Sequence, residues 1–303
     1  MKELKLKIHK LFIPLGAIFF LLAGIVSLSC AEALDYAALA LPARLESLGQ
    51  SAAARDNGLG GAYLNPATLG SVRSQEILFS TGKIFEDYTR YSLGLARRLD
   101  NARTVWGLSL AAAEITGLRR IENVGGRPQV LDEETSRRMV IIFSLADCPS
   151  ENFSWGLNLK YYQHELFSDK AVAAALDAGL RYKILTGLAL GVSGRNLNEA
   201  DLTWSTGTNE VLRREFQAGL AYETPFWPVI LSLDKIYSGQ NVYTNYGAEF
   251  WLWPEILALR AGLSAEILNL GLGFSLYGFS LDYAYADQED LGVSHKISLG
   301  WAY

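Results

Sequence analysis

Cysteine and histidine are scarce in this chain, with two and three copies among 303 residues. The histidines, His9, His164 and His295, are scattered, leaving little material for a metal centre or a catalytic triad. No basic block interrupts a net charge of −5, so nucleic acid is not expected as a partner. Only 19% of residues are charged while 50% are hydrophobic, a balance that excludes a disordered chain. Beyond the first thirty residues, no apolar run approaches the roughly 20 residues that a transmembrane helix requires.

The N-terminus does carry such a run. Lys2, Lys5, Lys7 and Lys10 precede LFIPLGAIFFLLAGIVSLS, which exits through SCAEA. A basic start, an apolar middle and small residues at the exit are the anatomy of a secretory signal peptide, here residues 1–33. Ala31-Glu32-Ala33 fits the cleavage pattern and places the mature start at Leu34. Cys30 opens a lipoprotein reading, although Ser27, Leu28 and Ser29 match the usual preceding residues poorly. An uncleaved anchor is the third reading; export is common to all three. Cleavage removes four lysines and two glutamates and makes the remainder more acidic. Cys148 is then the only cysteine, so no intrachain disulfide is expected.

From residue 75 onward the chain alternates. In NFSWGLNLKYY, Phe153, Trp155, Leu157, Leu159 and Tyr161 share one face, against Ser154, Gly156, Asn158 and Lys160. LNLGLGFSLYG and the terminal HKISLGWAY divide in the same way. A period of two is the strand signature. About fourteen such segments can be counted, and most have about the length that a tilted strand needs to cross a bilayer. Short connections (residues 100–102, Leu185-Thr186, Pro225, Pro254, Gly278) alternate with others that include GLRRIENVGGRPQVLDEETS and LNEADLTWSTGTN. This predicts an all-β fold, a transmembrane antiparallel β-barrel of about 14 strands over residues 75–303.

A secreted propeller or sandwich would alternate too, but would cover its second face with polar side chains. Here that face is rich in Gly, Ala and Ser, with scattered charges at Asp177, Arg181, Glu215, Asp234, Glu249, Arg260 and Asp282. Small residues with a few ionic ones suit a crowded lumen. Tyr88, Trp106, Tyr182, Tyr222, Tyr283 and Tyr285 are expected in interfacial girdles.

Residues 34–74 break the pattern. They are Ala- and Gly-rich and do not alternate. Asn65 can cap a helix start, and Pro66 suits the first helical position, with Ala67 following. Gly70 is placed to stop a single turn, and Gly58, Gly60 and Gly61 permit close or left-handed paths. The segment reads as a hatch or plug of short helices inside the barrel, or else as a tail ending in an ordinary capped turn. Arg44, Arg55 and Asp56 are its candidate partners for the lumen charges.

The run ARLESLGQSAAARDNGLGGAYLNPATLG, followed by a strand, resembles the start of PorV/PorQ-type outer-membrane proteins. Those belong to the wider FadL-like class of fourteen-stranded barrels. The resemblance continues through ALDAGLRYKILTGLALGVSGRNLN, QAGLAYET, YGAEFWLWPEILALRAGLS and LDYAYADQEDLGVSHKISLGWAY. It departs at Thr68, where glycine is commoner, and the loops are short for secretion-associated members. The resemblance implies that Asn65-Pro66-Ala67 lies in an N-terminal hatch, and it favours the plug over the tail. It also implies hatch-gated passage of hydrophobic small molecules across the outer membrane, or, alternatively, an accessory role in protein secretion with cargo proteins or a translocon as partners.

Loop residues Leu118, Ile121, Val124, Leu202 and Trp204 are candidates for an apolar collecting surface. Ile297, Leu299, Trp301 and Tyr303 resemble the terminal signal read by the barrel-assembly machinery, and outer-membrane lipid is the expected surrounding. No enzyme, cofactor or metal is expected. HEL at His164 fails the zinc spacing because position 168 is Ser, and the acidic turn of Asp287, Glu289 and Asp290 is short of a calcium loop.

Overall fold

The computed structural model describes residues 39–85, 88–288 and 292–303. The expected leader, Cys30 and Leu34 lie outside them. The strands are β1 (Gln75–Phe85), β2 (Tyr88–Arg98), β3 (Thr104–Val124), β4 (Arg127–Ser150), β5 (Phe153–Leu166), β6 (Asp169–Leu185) and β7 (Leu188–Arg195). A small hairpin, β8 (Asp201–Trp204) and β9 (Asn209–Val211), follows. Then come β10 (Glu215–Glu223), β11 (Val229–Ser238), β12 (Asn241–Trp253), β13 (Leu257–Ser264), β14 (Ile267–Leu276), β15 (Phe279–Gln288) and β16 (Gly292–Ala302).

Each strand pairs antiparallel with its neighbour, β7 pairs with β10, and β1 closes on β16 from Glu76↔Ala302 to Lys83↔His295. The result is a closed antiparallel barrel of 14 strands. The hairpin β8–β9 stands apart from the ring and attaches to β6 at Ala171↔Trp204.

The two faces explain why the sheet closes this way. On β14, Leu268, Leu270, Leu272, Phe274 and Leu276 are exposed, while Asn269, Gly271 and Gly273 face inward and are covered. β5 and β16 repeat the division. An apolar exterior of this extent is unsuited to water. It suits hydrocarbon, and closure satisfies the ladder hydrogen bonds that lipid cannot.

One end of the barrel carries the connections expected to be short, the start of β1 and the end of β16; we call it the turn end, and the opposite one the loop end. GLRRIENVGGRPQVLDEETS, expected as a loop, is instead a continuation of β3 and β4 into a hairpin that turns at Gly125-Gly126. Ladder pairing sustains it without a strong apolar stripe, from Leu118↔Glu134 to Val124↔Arg127. Most connections at this end are nevertheless tight, such as Phe167-Ser168 and Ala265-Glu266. Tyr88 is not in a girdle. It shares the inward parity of Arg90 and Ser92 and is buried.

Residues 39–72 lie inside the ring. They form α1 (Ala43–Ser47), α2 (Gly58–Gly61) and a 3-10 helix (Pro66–Ser71), joined by turns. Asn65 caps the last of these, its Oδ1 accepting from the Ala67 amide at 3.1 Å. Gly70 does not end that helix, which continues to Ser71. It packs beside Cys148 and Ser154, where a side chain would collide with both.

The filled lumen as candidate functional site

Small residues on the inner wall are what admit the N-terminal segment. A Cβ at Gly156 would fall on the Pro66 carbonyl, and one at Gly191 would fall on the Ala53 carbonyl. Backbone therefore meets backbone, and the wall supplies hydrogen bonds as well as space. Ser154 Oγ donates to Ala67 O at 2.9 Å, Asn158 Nδ2 to Ala62 O at 2.9 Å, and Ser193 Oγ to Leu64 O at 2.8 Å. Asn65 Nδ2 bridges Ala53 O and Leu180 O, at 2.7 and 3.1 Å. The same asparagine thus caps its own helix and ties it to β6.

The inward carboxylates hold the segment by charge. Glu249 of β12 receives Arg44 at 3.1 Å, Arg55, and Arg260 of the wall at 2.7 Å. Arg260 also reaches Asp282 at 2.6 Å. Asp234 accepts the consecutive amides of Ala52 and Ala53, at 2.7 and 2.8 Å, and the Gln217 amide on the same oxygen. Arg181 donates to Ala54 O and pairs with Asp56 at 2.8 Å. Asp177 stays within the wall, paired with Lys160 at 2.7 Å, and Glu215 pairs with Arg195 at 2.5 Å.

A third ionic contact is not evident in the sequence. Glu46 of α1 meets Arg90 of β2 at 2.9 Å and Lys296 of β16 at 3.2 Å. Burial would raise the Glu46 pKa, but the two cations outweigh it and hold it at about 2. Arg90 and Lys296 occupy inward positions of their strands; alternation marks that face but not the partner.

Toward the loop end the lining changes to apolar. Tyr88, Val140, Ile142, Tyr162 and Leu202 are buried in one cluster, which also takes in Leu41, Leu45 and Leu64 of the inner segment. Trp204 packs on its edge, 4.8 Å from the His164 ring. Of the five proposed collecting residues, Leu202 and Trp204 join this cluster. Leu118 and Ile121 stand on the projecting β3–β4 hairpin, Ile121 exposed and opposite Val130, and Val124 pairs with Arg127 at its tip. Ile297 and Leu299 face outward, Trp301 is half-buried, and Tyr303 is exposed with its ring 6.1 Å from Trp301.

Neighbours in sequence do not combine into catalytic pairs. His164 faces the lumen and contacts Ser136, while Glu165 pairs with Lys170. Ser294 is buried against Glu46, whereas His295 binds the Tyr283 hydroxyl at 2.7 Å on the other face.

No protein-family model and no curated protein sequence matches the chain. Solved structures do. The Ralstonia pickettii toluene transporter TbuX superposes with a TM-score of 0.62 at 12% identity, covering 87% of this chain and 98% of that one. The chain has the fold of FadL-like channels. The monoaromatic hydrocarbon channel CymD aligns at 0.62 and 15% identity, over 87% of this chain and 97% of that one. A Pseudomonas aeruginosa FadL homologue aligns at 0.56 and 10% identity, over 87% and 98%.

Proposed function

We propose that this barrel passes small apolar molecules across the bacterial outer membrane, with residues 34–74 as the hatch that gates it. The observation that carries the reading is the apolar cluster at the loop end of the lumen, larger than the one that Leu78 and Val105 form with Leu59, Leu69 and Val72 toward the turn end. Inward residues of a lipid-embedded barrel gain nothing from lipid by being apolar; an apolar guest and the inner segment itself are what such a lining can hold. The similar folds of a described toluene transporter and a described monoaromatic hydrocarbon channel support the same class of cargo. Leu202 and Trp204 roof the entry, and Leu118, Ile121 and Val124 on the hairpin gather cargo before it. The turn end then faces the periplasm, where Ile297, Leu299, Trp301 and Tyr303 present the assembly signal. No catalytic role is assigned.

The finer kinship with PorV/PorQ-type proteins rests on the sequence resemblance, and no feature of the fold adds support for a secretion role. Uptake of radiolabelled toluene by cells producing the intact chain, Leu202→Arg, or no barrel provides the test. Uptake above the empty control that falls in Leu202→Arg, with normal barrel folding, supports the reading. Equal uptake in all three refutes it.

A further inference from the structure

The rim of the turn end is chemically two-sided. From β6 through β7 and β10–β15 to the end of β16, the turn tips are aromatic or aliphatic. Leu185 lies in the β6–β7 turn, Phe226 and Trp227 in the β10–β11 turn, Trp253 at the end of β12, and Tyr277 in the β14–β15 turn. These side chains stand clear of the protein. Tyr277 is 91% exposed, Phe226 71% and Trp227 70%, whereas an outward leucine of the wall such as Leu272 is shielded to 50% by its neighbours. Tyr303 ends the arc and is as prominent. No lysine or arginine occurs within residues 184–187, 223–229, 252–257, 276–279 or 301–303, where the charges are Glu223 and Glu255 alone.

The remaining rim, from the start of β1 to the β4–β5 turn, is the reverse. Residues 73–75, 97–104 and 147–152 carry Arg73, Arg97, Arg98 and Arg103 together with Asp100, Asp147 and Glu151. Among the described residues of these three stretches, Leu99 is the one large apolar side chain that is exposed.

Two observations say what covers the apolar arc. It is continuous with the lipid-facing wall: Leu272, Phe274 and Leu276 lead along β14 to Tyr277, and Ile297 and Leu299 lead along β16 to Tyr303. Its outline is also that of a plane meeting a cylinder. The arc follows nine consecutive strands of the ring, whereas a globular partner would cover a compact patch. Tryptophan and tyrosine at such a border suit the headgroup layer, where one end of the side chain is apolar and the other wet.

We propose that the turns from β6 to β15, with the β16 terminus, are sunk in the interfacial layer of the phospholipid leaflet at the turn end, while the β2–β3 and β4–β5 turns stand in water. The barrel is thus seated at unequal depth around its rim, and lipid touches turn tips as well as wall. The proposal does not depend on passage of cargo or on the hatch.

Spin labelling of the full chain in vesicles of phosphatidylethanolamine and phosphatidylglycerol tests it. In a Cys148→Ser background, Phe226→Cys and Tyr277→Cys place a nitroxide on the apolar arc, and Asp100→Cys and Glu151→Cys place it on the polar side. Collision with oxygen, which concentrates in lipid, is compared with collision with a water-soluble nickel chelate present on both sides of the bilayer. The oxygen-to-chelate ratio should be several-fold higher at positions 226 and 277 than at 100 and 151. Heat-dependent gel migration verifies that each variant is folded. Equal, chelate-dominated ratios at all four positions overturn the proposal, because the arc is then in water. Shielding of 226 and 277 from both reagents also overturns it, because protein, such as a second copy of the chain, then covers the arc. High oxygen ratios at all four positions overturn the unequal depth.

Discussion

Glu249 of β12 and Arg55 of the N-terminal segment form an enclosed ion pair, neither side chain more than 3% exposed. Arg44 and Arg260 converge on the same carboxylate. Removing one member of a buried pair is far more damaging than replacing both, with a cost of about 3–5 kcal/mol. Glu249→Gln would leave three guanidiniums around a neutral amide, and the cost falls on the seat of the inner segment. The variant is expected to keep its barrel but to show faster proteolysis within residues 39–72 and higher conductance in planar bilayers. Wild-type protection and conductance would show that the charge does not hold the segment.

Shape makes a second, independent demand. Gly191 lies against the Ala53 carbonyl, and a valine there has no room without displacing the segment. Gly191→Val should therefore raise conductance while leaving heat-dependent gel migration intact. An exposed glycine of the projecting hairpin offers the contrast: nothing lies within 4 Å of a Cβ built at Gly117, although its φ of +73° adds local strain. Gly117→Ala should leave conductance unchanged. Equal conductance in Gly191→Val and wild type would mean that the wall yields.

Acid should loosen the same segment through Glu46. Its pKa is held at about 2, below the 4.5 of a free glutamate, so ionised Glu46 stabilises the folded state at neutral pH. That contribution is complete above about 4.5 and is lost as pH falls through about 2. Hydrogen exchange of α1 amides across this window should accelerate in the wild type. Glu46→Gln should already exchange faster at neutral pH and respond less to acid; an identical pH response in both would remove Glu46 as the cause.

Alternation alone located the fourteen wall strands because lipid on one side and a crowded lumen on the other impose opposite chemistry at every second residue. β14 shows the reason most clearly, with Leu268 to Leu276 alternating against Asn269, Gly271 and Gly273. Where both faces of a strand meet water, the contrast disappears. That is why residues 117–135, with exposed Arg119, Arg120 and Glu133 among them, read as a loop although they pair as a ladder. Inward charges were legible by parity, yet parity cannot say which of them meet. Asp177 and Glu215 bond within the wall, whereas Asp234 and Glu249 hold the inner segment. A tyrosine near a strand end suits a girdle, so Tyr88 is expected there, and its register with inward Arg90 is what reveals the lumen.

The projecting hairpin separates folding from cargo capture. Among the described residues, β2 pairs with β3 no further than Tyr88↔Ile115, and β5 pairs with β4 no further than Leu166↔Ser136. Residues 117–135 therefore receive no ladder support from neighbouring wall strands and give none. Replacing them with Asn-Gly, a pair suited to a two-residue hairpin turn, should leave assembly and heat-dependent migration unchanged. If Leu118, Ile121 and Val124 gather apolar cargo, the shortened barrel should show reduced toluene uptake at low concentration and normal uptake near saturation. Leu202→Arg, by contrast, puts a charge into a fully buried position of the apolar cluster and should depress uptake at every concentration. Full low-concentration uptake by the shortened barrel would confine the entry to the cluster around Leu202 and Trp204.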